Sequence, residues 1–552
     1  NFEEAIAQIE TALTLIEDLR TQISSQDLRA SFLASKQEYY QFYIDLLMQL
    51  NQQQPNQGWD GKALQISERA KARSLLDILA EAQGQITSGV DPQLLEQKQT
   101  LSQKLSALEE KRIKLLSQQH TILEKQEINQ EIDHLLQQYN QVLGQIRVNS
   151  PQYAALTQPQ PLTLTEIQKL LDNNTILLEY SLGKERSYLW TVSQTSIQSY
   201  ELPGEELIKK NVRAFREAVI LPSQRIRTSL YEKAGKELRE SVFPVIPSLE
   251  NKRLLIVADG ALQYVPFAAL PVLPNNSEAD SIPLIVNHEL LTLPSASVLG
   301  ILRQQSQTRK LPEKLLAVLA DPVFSTTDER LKSVVSGAIK SLPPDLERSA
   351  RESGVLFDRL PFTQEEAQQI LALVPEKDRL QEIGFDANRE TAISDQLSQY
   401  RFIHFATHGL LNSENPQLSG LVFSLVDQSG QSQNGFLRLY DVFNLKLPVE
   451  LVVLSACETG LGQAIKGEGL VGLTRGFMYA GASRVLVSLW RVDDQATSQL
   501  MVKFYQGMLT EGLSPVAALR QAQIKMQQNE ASEWIPPYYW SGFVLQGEWQ
   551  GI

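Results

Sequence analysis

Apolar positions recur every three or four residues through roughly the first 150 residues, then give way to short continuous runs. Ile6, Ile9, Leu13, Ile16 and Leu19 form the first stripe, over Phe2 to Ile23, and that period predicts an amphipathic helix. A second helix is expected from about Ser25 to Gln52, with Tyr39, Tyr40, Tyr43 and Leu46 as bulky members, broken by Pro55, Asn56 and Gly58. A third starts at Ala63 and runs towards Gly84; small Ala63, Ala70 and Ala72 among its leucines imply close helix contacts. Helices paired like this fit either the end of a helical-hairpin repeat array or an ordinary bundle. From Asp91 to Val148 the chain turns polar, with one stripe of Leu94, Leu95, Leu101, Leu105 and Leu108 and another of Ile128, Ile132, Leu135, Leu136 and Leu143. Two such helices predict an antiparallel coiled-coil hairpin, either a partner-binding arm or a structural brace.

The period changes near Pro151, and a Pro- and Thr-rich linker spans Pro159 to Leu164. Strands are expected at Ile176–Tyr180, Ser187–Val192, Ser196–Leu202 and Leu254–Val257, with helices at Glu205–Ala218 and Ser229–Val242. A second series has strands at Leu315–Leu319, Phe402–Ala406, Gly420–Leu425, Leu451–Leu454 and Arg484–Leu489. Its helices are expected at Thr363–Val374, Asn388–Leu397, from Tyr440, and at Leu470–Tyr479, Thr497–Met508 and Ser514–Gln527. Strands followed by crossover helices predict a mostly parallel sheet, whose ligand site lies beyond the strands' carboxyl ends. The fold class is therefore α + α/β. Four segments are expected: a helical region over 1–88, a long helical hairpin over 89–150, and α/β units over 151–308 and 309–552.

Composition narrows the function. A net charge of −13 disfavours nucleic acid as a direct partner. The single cysteine excludes an internal disulfide and a Cys-rich zinc site, and fits a reducing, cytoplasmic compartment. Apolar runs such as Leu451–Leu454 are far too short to span a bilayer. The chain begins at Asn1 inside a helical pattern and is read as a fragment.

The single cysteine, Cys457, ends the run Leu-Val-Val-Leu-Ser-Ala-Cys, and His408 ends Phe-Ile-His-Phe-Ala-Thr-His-Gly. Two strand ends, about fifty residues apart, thus each carry one half of a thiol–imidazole pair, which is what nucleophilic catalysis by a thiolate needs. The backbone N–H groups of Gly409 and Cys457 are candidates for an oxyanion hole. The plainer alternative makes Cys457 a buried small residue and His408 a core histidine. His404 stands too far along the strand from His408 to share a metal, and no carboxylate cluster completes a site, so neither metal nor cofactor is expected. Gly460 to Gly469 lacks the ending of a phosphate loop and is read as a flexible loop beside the nucleophile.

His-Phe-Ala-Thr-His-Gly (404–409), Leu-Ser-Ala-Cys-Glu-Thr-Gly (454–460), Gly-Glu-Gly-Leu (467–470) and Ser-Leu-Trp-Arg-Val-Asp-Asp (488–494) together resemble the CHAT domain. Glu179-Tyr180, Asp259-Gly260 with Pro266-Phe267, and Asp321-Pro322 extend the likeness over about 160–552, and Leu64–Leu79 is similar to the join between TPR repeats and CHAT in cyanobacterial HetF-like proteins. The resemblance implies a caspase-like fold of two halves, the first (151–308) without a dyad and the second (309–552) active. It implies a cysteine endopeptidase of the caspase and separase clan, with His408 and Cys457 as the dyad. Residues 160 to 300 agree, holding no cysteine and His288 as their one histidine.

Specificity is argued from the 488–494 stretch. Its likeness to separase puts Asp494 in a pocket for the residue before the cut (P1), which implies cleavage after Arg and less strongly Lys. Asp321 is a secondary candidate, with Ser455, Trp490 and Asp493 beside it; the alternative for Asp494 is a helix N-cap. The expected partners are a protein substrate with a basic P1 residue and a regulatory protein on the helical region, with no membrane. The reading from another class is a catalytically silent CHAT scaffold.

Overall fold

The computed structural model describes residues 2–22, 32–71, 75–76, parts of 91–108, 122–149, 160–220, 228–246, 249–273, 281–307, 309–331, 346, 357–410, 419–455, 463–465, 469–528 and 534–550. Cys457 with its neighbours, Pro151 to Pro159, the start of the second expected helix and the third beyond Lys71 lie largely or wholly outside them.

The helical region comprises α1 (Phe2–Gln22), α2 (Gln37–Gln53) and α3 (Trp59–Ala70), packed through Leu13, Tyr40, Tyr43, Leu47, Ala63 and Leu64. Next comes α4 (Ile122–Asn149). Its Val142 and Ile146 meet Leu94, while its Ile128 and Ile132 meet Leu108, an antiparallel order.

The α/β part opens with α5 (Leu164–Leu170), held by a reciprocal Thr163–Glu166 capping box. Strands β1 (Thr175–Ser181), β2 (Arg186–Val192) and β3 (Ile197–Pro203) follow, then α6 (Glu205–Ile220), α7 (Thr228–Val242), β4 (Arg253–Val257), β5 (Glu289–Thr292) and α8 (Ala296–Gln307). The second half holds β6 (Lys314–Ala320), α9 (Pro361–Leu371), β7 (Arg379–Ile383), β8 (Tyr400–Ala406), β9 (His408–Leu410), β10 (Gly420–Val422), β11 (Phe436–Arg438) and β12 (Leu451–Leu454). It closes with β13 (Gln463–Ile465), β14 (Gly469–Val471), α10 (Leu473–Ala480), β15 (Arg484–Ser488), α11 (Asp494–Leu509), α12 (Pro515–Gln527) and β16 (Phe543–Gly547).

Both halves share one 11-stranded sheet, ordered β3-β2-β1-β4-β5-β16-β15-β12-β8-β6-β7. The parallel strands are buried on both faces: Leu451 to Leu454 are all buried, as are Leu316 to Ala320. β16 runs antiparallel to β15 and meets β5 through Gln546 and Thr292, so it joins the two halves.

Three expectations change. Asn388–Leu397 is no helix but one turn (Arg389–Ala392) followed by a 3-10 segment (Asp395–Gln399), because the Ser394 hydroxyl donates to the Thr391 carbonyl and competes with helix propagation. The Gly420 strand leaves the main sheet and joins β9 and β11 in a small antiparallel one. Where it is described, the Gly460–Gly469 stretch pairs β13 with β14 as a hairpin. No described helix is long and apolar enough to cross a membrane.

Candidate active site

Four parallel strands end on one edge. β6, β8, β12 and β15 stop at Ala320, Ala406, Leu454 and Ser488, so Asp321, His408, Ser455 and the Trp490–Asp494 stretch follow the same edge. The sequence expectation that these four converge rests on that parallel order, and the topology supplies it.

His408 leaves the main sheet after Thr407, whose hydroxyl donates to the Val422 carbonyl. It begins β9, opposite Val422, with Gly409 opposite Leu421. Its ring lies 4.9 Å from Phe324 and 5.8 Å from Phe357, centroid to centroid, and is 6% exposed. Nε2 stands 2.7 Å from the carbonyl oxygen of Asp358. A carbonyl only accepts, so Nε2 carries the proton and Nδ1 keeps the lone pair. Burial holds the imidazole below its ordinary pKa; the Asp358 carbonyl works against that and Arg491 adds to it. At neutral pH the ring is therefore an uncharged base with its tautomer fixed by backbone.

The backbone N–H of Ser455 donates to the Phe405 carbonyl at 2.9 Å, fastening the end of β12 beside β8. Its Oγ is buried, with no hydrogen-bond partner among the described residues. Cys457 lies outside the described residues.

Asp321 is saturated. It is 1% exposed, Arg330 Nη1 reaches Oδ2 at 2.8 Å, and Arg359 grips both oxygens at 3.0 and 2.9 Å. Its backbone takes a left-handed φ of 49°, and its N–H donates to Thr363 Oγ1 at 3.2 Å. A bidentate guanidinium is a strong partner for a carboxylate, so Asp321 has little charge left for a substrate.

Asp493 and Asp494 divide two roles. Asp493 is the N-cap of α11, accepting from Ala496 N at 2.9 Å. The cap weighed for Asp494 thus belongs to its neighbour. Asp494 opens α11 half-buried, and its Oδ2 accepts from Phe362 N at 3.2 Å. Among the described residues no Lys or Arg pairs with it. Burial raises its pKa to about 6, with Glu366, Asp493 and Asp321 adding to the rise and the Phe362 N–H opposing it. An acid with carboxylate neighbours and no cation is a site that favours one.

Trp490 packs inward. It is 3% exposed, stacks on Tyr538 and donates from Nε1 to the Tyr538 carbonyl at 3.3 Å, behind Gly542, where a Cβ would come within 3.0 Å of the ring. It braces the start of α11 rather than lining an open surface. His404 is wholly buried on β8, with Nε2 2.7 Å from Glu366 Oε1.

The sequence model of the CHAT domain matches residues 224–548, more than half of the chain. The chain belongs to the CHAT-domain family. Tetratricopeptide repeat protein 28 of Homo sapiens is 29% identical to it over 388 residues, covering 65% of this chain and 14% of that protein. The Mus musculus protein of the same name is 28% identical over 414 residues, with 69% and 15% covered. The chain therefore spans only a small part of the length of these curated relatives. Among solved structures, the separase–securin complex of Saccharomyces cerevisiae gives a TM-score of 0.46 at 10% identity, over 95% of this chain and 37% of that one. The Arg-specific cysteine proteinase gingipain R gives 0.31 at 10% identity, over 62% and 74%.

Within this CHAT chain, sequence reasoning missed three features of the site: the Asp358 carbonyl, the Arg330 and Arg359 clamp on Asp321, and Glu366 behind Asp494. A backbone carbonyl leaves no side-chain signal. The arginines and Glu366 act across sequence separations of 9, 38 and 128 residues (330 − 321, 359 − 321, 494 − 366), which no local pattern encodes.

Proposed function

We propose that this CHAT chain is a cysteine endopeptidase that cleaves protein substrates after Arg, less strongly Lys, through Cys457 and His408. One observation carries the reading. β8 and β12 pair in parallel with Phe405 opposite Leu454, an offset of 49 (454 − 405). β12, the strand whose sequence leads to Cys457, therefore ends beside β8, the strand that precedes His408, on the same edge of the sheet. His408 Nδ1 takes the thiol proton, and the thiolate attacks the scissile carbonyl. The imidazolium then protonates the leaving amine, and water completes hydrolysis of the thioester. The backbone N–H groups of Gly409 and Cys457 receive the oxyanion. Asp494, which pairs with no Lys or Arg among the described residues, receives the P1 side chain. Ser455 and Asp493 border that pocket, and Asp321 acts through its arginines. The helical region recruits a substrate or regulatory protein; Leu15, Leu19, Tyr39 and Phe42 are large apolar side chains exposed on α1 and α2.

The test is a panel of reporter peptides ending in Arg, Lys or Asp, given to the wild type, Cys457→Ala and His408→Ala. Arg-directed cleavage confined to the wild type is expected. Equal cleavage by Cys457→Ala sinks the proposal. One observation favours a silent scaffold instead: His408 is 6% exposed beneath Phe357 and Asp358, so the 357–360 segment has to shift before a substrate reaches the ring. A Cys457 that no alkylating reagent labels under any condition would favour that second reading.

A further inference from the structure

Beneath Asp494 lies a second polar layer that the dyad does not use. Glu366, on the same helix as Phe362 and one turn further along, is 1% exposed. Its Oε1 approaches His404 Nε2 to 2.7 Å without hydrogen-bond alignment, and among the described residues neither of its oxygens has a hydrogen-bond partner. His404 Nδ1 in turn lies 3.2 Å from Tyr505 Oη, on the same helix as Asp494. One buried cluster therefore links β8, which leads into His408, to α9 and α11, which frame the acidic pocket. Burying a carboxylate this deeply is costly unless something compensates, and nothing in the proposed chemical steps requires it.

We propose that Glu366, held against His404, is a positioning residue of the P1 pocket: its buried carboxylate deepens the negative field at Asp494 and sets the acidity at which the pocket releases a basic side chain. This rests on the reading of Asp494 as the P1 carboxylate. The groups facing Asp494 are Asp493 on its own helix, Phe362 N–H and Glu366 on α9, and Asp321 at the end of β6, whose charge Arg330 and Arg359 offset. Glu366 is the one carboxylate among them that is fully buried yet not clamped by arginine. It pushes the pKa of both Asp494 and Tyr505 upward, adding to the larger effect of their burial. Mild acid protonates Asp494 and removes the cation's partner, while Glu366 strengthens the site above that point.

The probe is benzamidine, a guanidinium-like cation, titrated calorimetrically into the full Cys457→Ala chain between pH 5 and 8, so turnover plays no part. The parent is expected to bind with a midpoint near 6 and Asp494→Asn to lose the pH dependence. Glu366→Gln is expected to lower the midpoint by about half a unit or more and to weaken binding at pH 8 about threefold. Tyr505→Phe, which loosens the cluster without altering its charge, is expected to leave the midpoint in place. The double variant Glu366→Gln, His404→Gln, whose amides can bond one another, carries the same prediction should the single variant unfold. A Glu366→Gln midpoint equal to the parent's, or an equal shift in Tyr505→Phe, overturns the inference alone. No Asp494-dependent binding in the parent overturns the P1 reading and the inference with it.

Discussion

Asp494 is where recognition and stability conflict. Its carboxyl has a folded-state pKa of about 6, above the ordinary 3.8. A raised pKa means that the folded chain is favoured at low pH and loses that contribution as pH rises through about 6. Asp494→Asn removes the cost, and after allowance for partial solvent screening it is expected to stabilise the chain at pH 8 by on the order of 1 kcal/mol. Denaturant titrations at pH 5 and pH 8 check this: the gain should appear at pH 8 and shrink at pH 5. The same variant should lose cleavage after Arg. His408 shows the opposite balance, since burial keeps it neutral and so able to accept a proton. The residue scale was partly legible in the sequence. Cys457 and His408 each stand at the end of an apolar run, which a reader can see. The orienting partner of His408, the Asp358 carbonyl, is backbone, and Glu366 looks like any helix glutamate until α9 is docked on β8.

At the scale of elements, α11 carries the proposed P1 carboxylate, and its start is fixed by Asp493 and by the Trp490–Tyr538 stack. Asp493→Ala removes one N-terminal cap and is expected to cost about 1 kcal/mol, read as a lowered denaturation midpoint. Gly542→Ala places a Cβ 3.0 Å from the Trp490 ring and is expected to cost about 1–3 kcal/mol by overpacking; melting temperature checks it. Both changes should also weaken cleavage by displacing Asp494. The parallel strands β6, β8, β12 and β15 were legible because burial on both faces makes them unbroken apolar runs. β5 and β16 were not. Glu289–Thr292 is only four residues long, and β16 reads Phe-Val-Leu-Gln-Gly, too short and mixed to signal the strand that joins the halves.

For the whole molecule, the helical region is keyed into the first half by buried charge. Glu68 on α3 accepts from the backbone N–H groups of Ala296 and Ser297, capping α8. Lys71 Nζ lies 3.0 Å from Glu179 Oε1 on β1, and Ser67 Oγ donates to the same oxygen at 2.7 Å. Burial holds the Glu179 carboxyl far above the ordinary carboxylate range, with Lys71 opposing it. Removing the lysine leaves that carboxylate alone, so Lys71→Met is expected to destabilise the chain by roughly 3–5 kcal/mol. Because the folded-state pKa is raised, the loss should be small at pH 5 and grow as pH rises above neutrality, which denaturation across that range would reveal. The Leu64–Leu79 resemblance pointed to this join, but the partner of Lys71 lies 108 residues away and only the fold discloses it.

The central claim is that one thiol cuts after one kind of residue. N-terminal sequencing of the products from an unbiased protein substrate tests it most directly, because each new terminus reports the residue before the cut. The account predicts Arg, then Lys, at that position, with no such products from Cys457→Ala and a sharp fall in Asp494→Asn. Cuts without a basic preference, or the same products from Cys457→Ala, would contradict it.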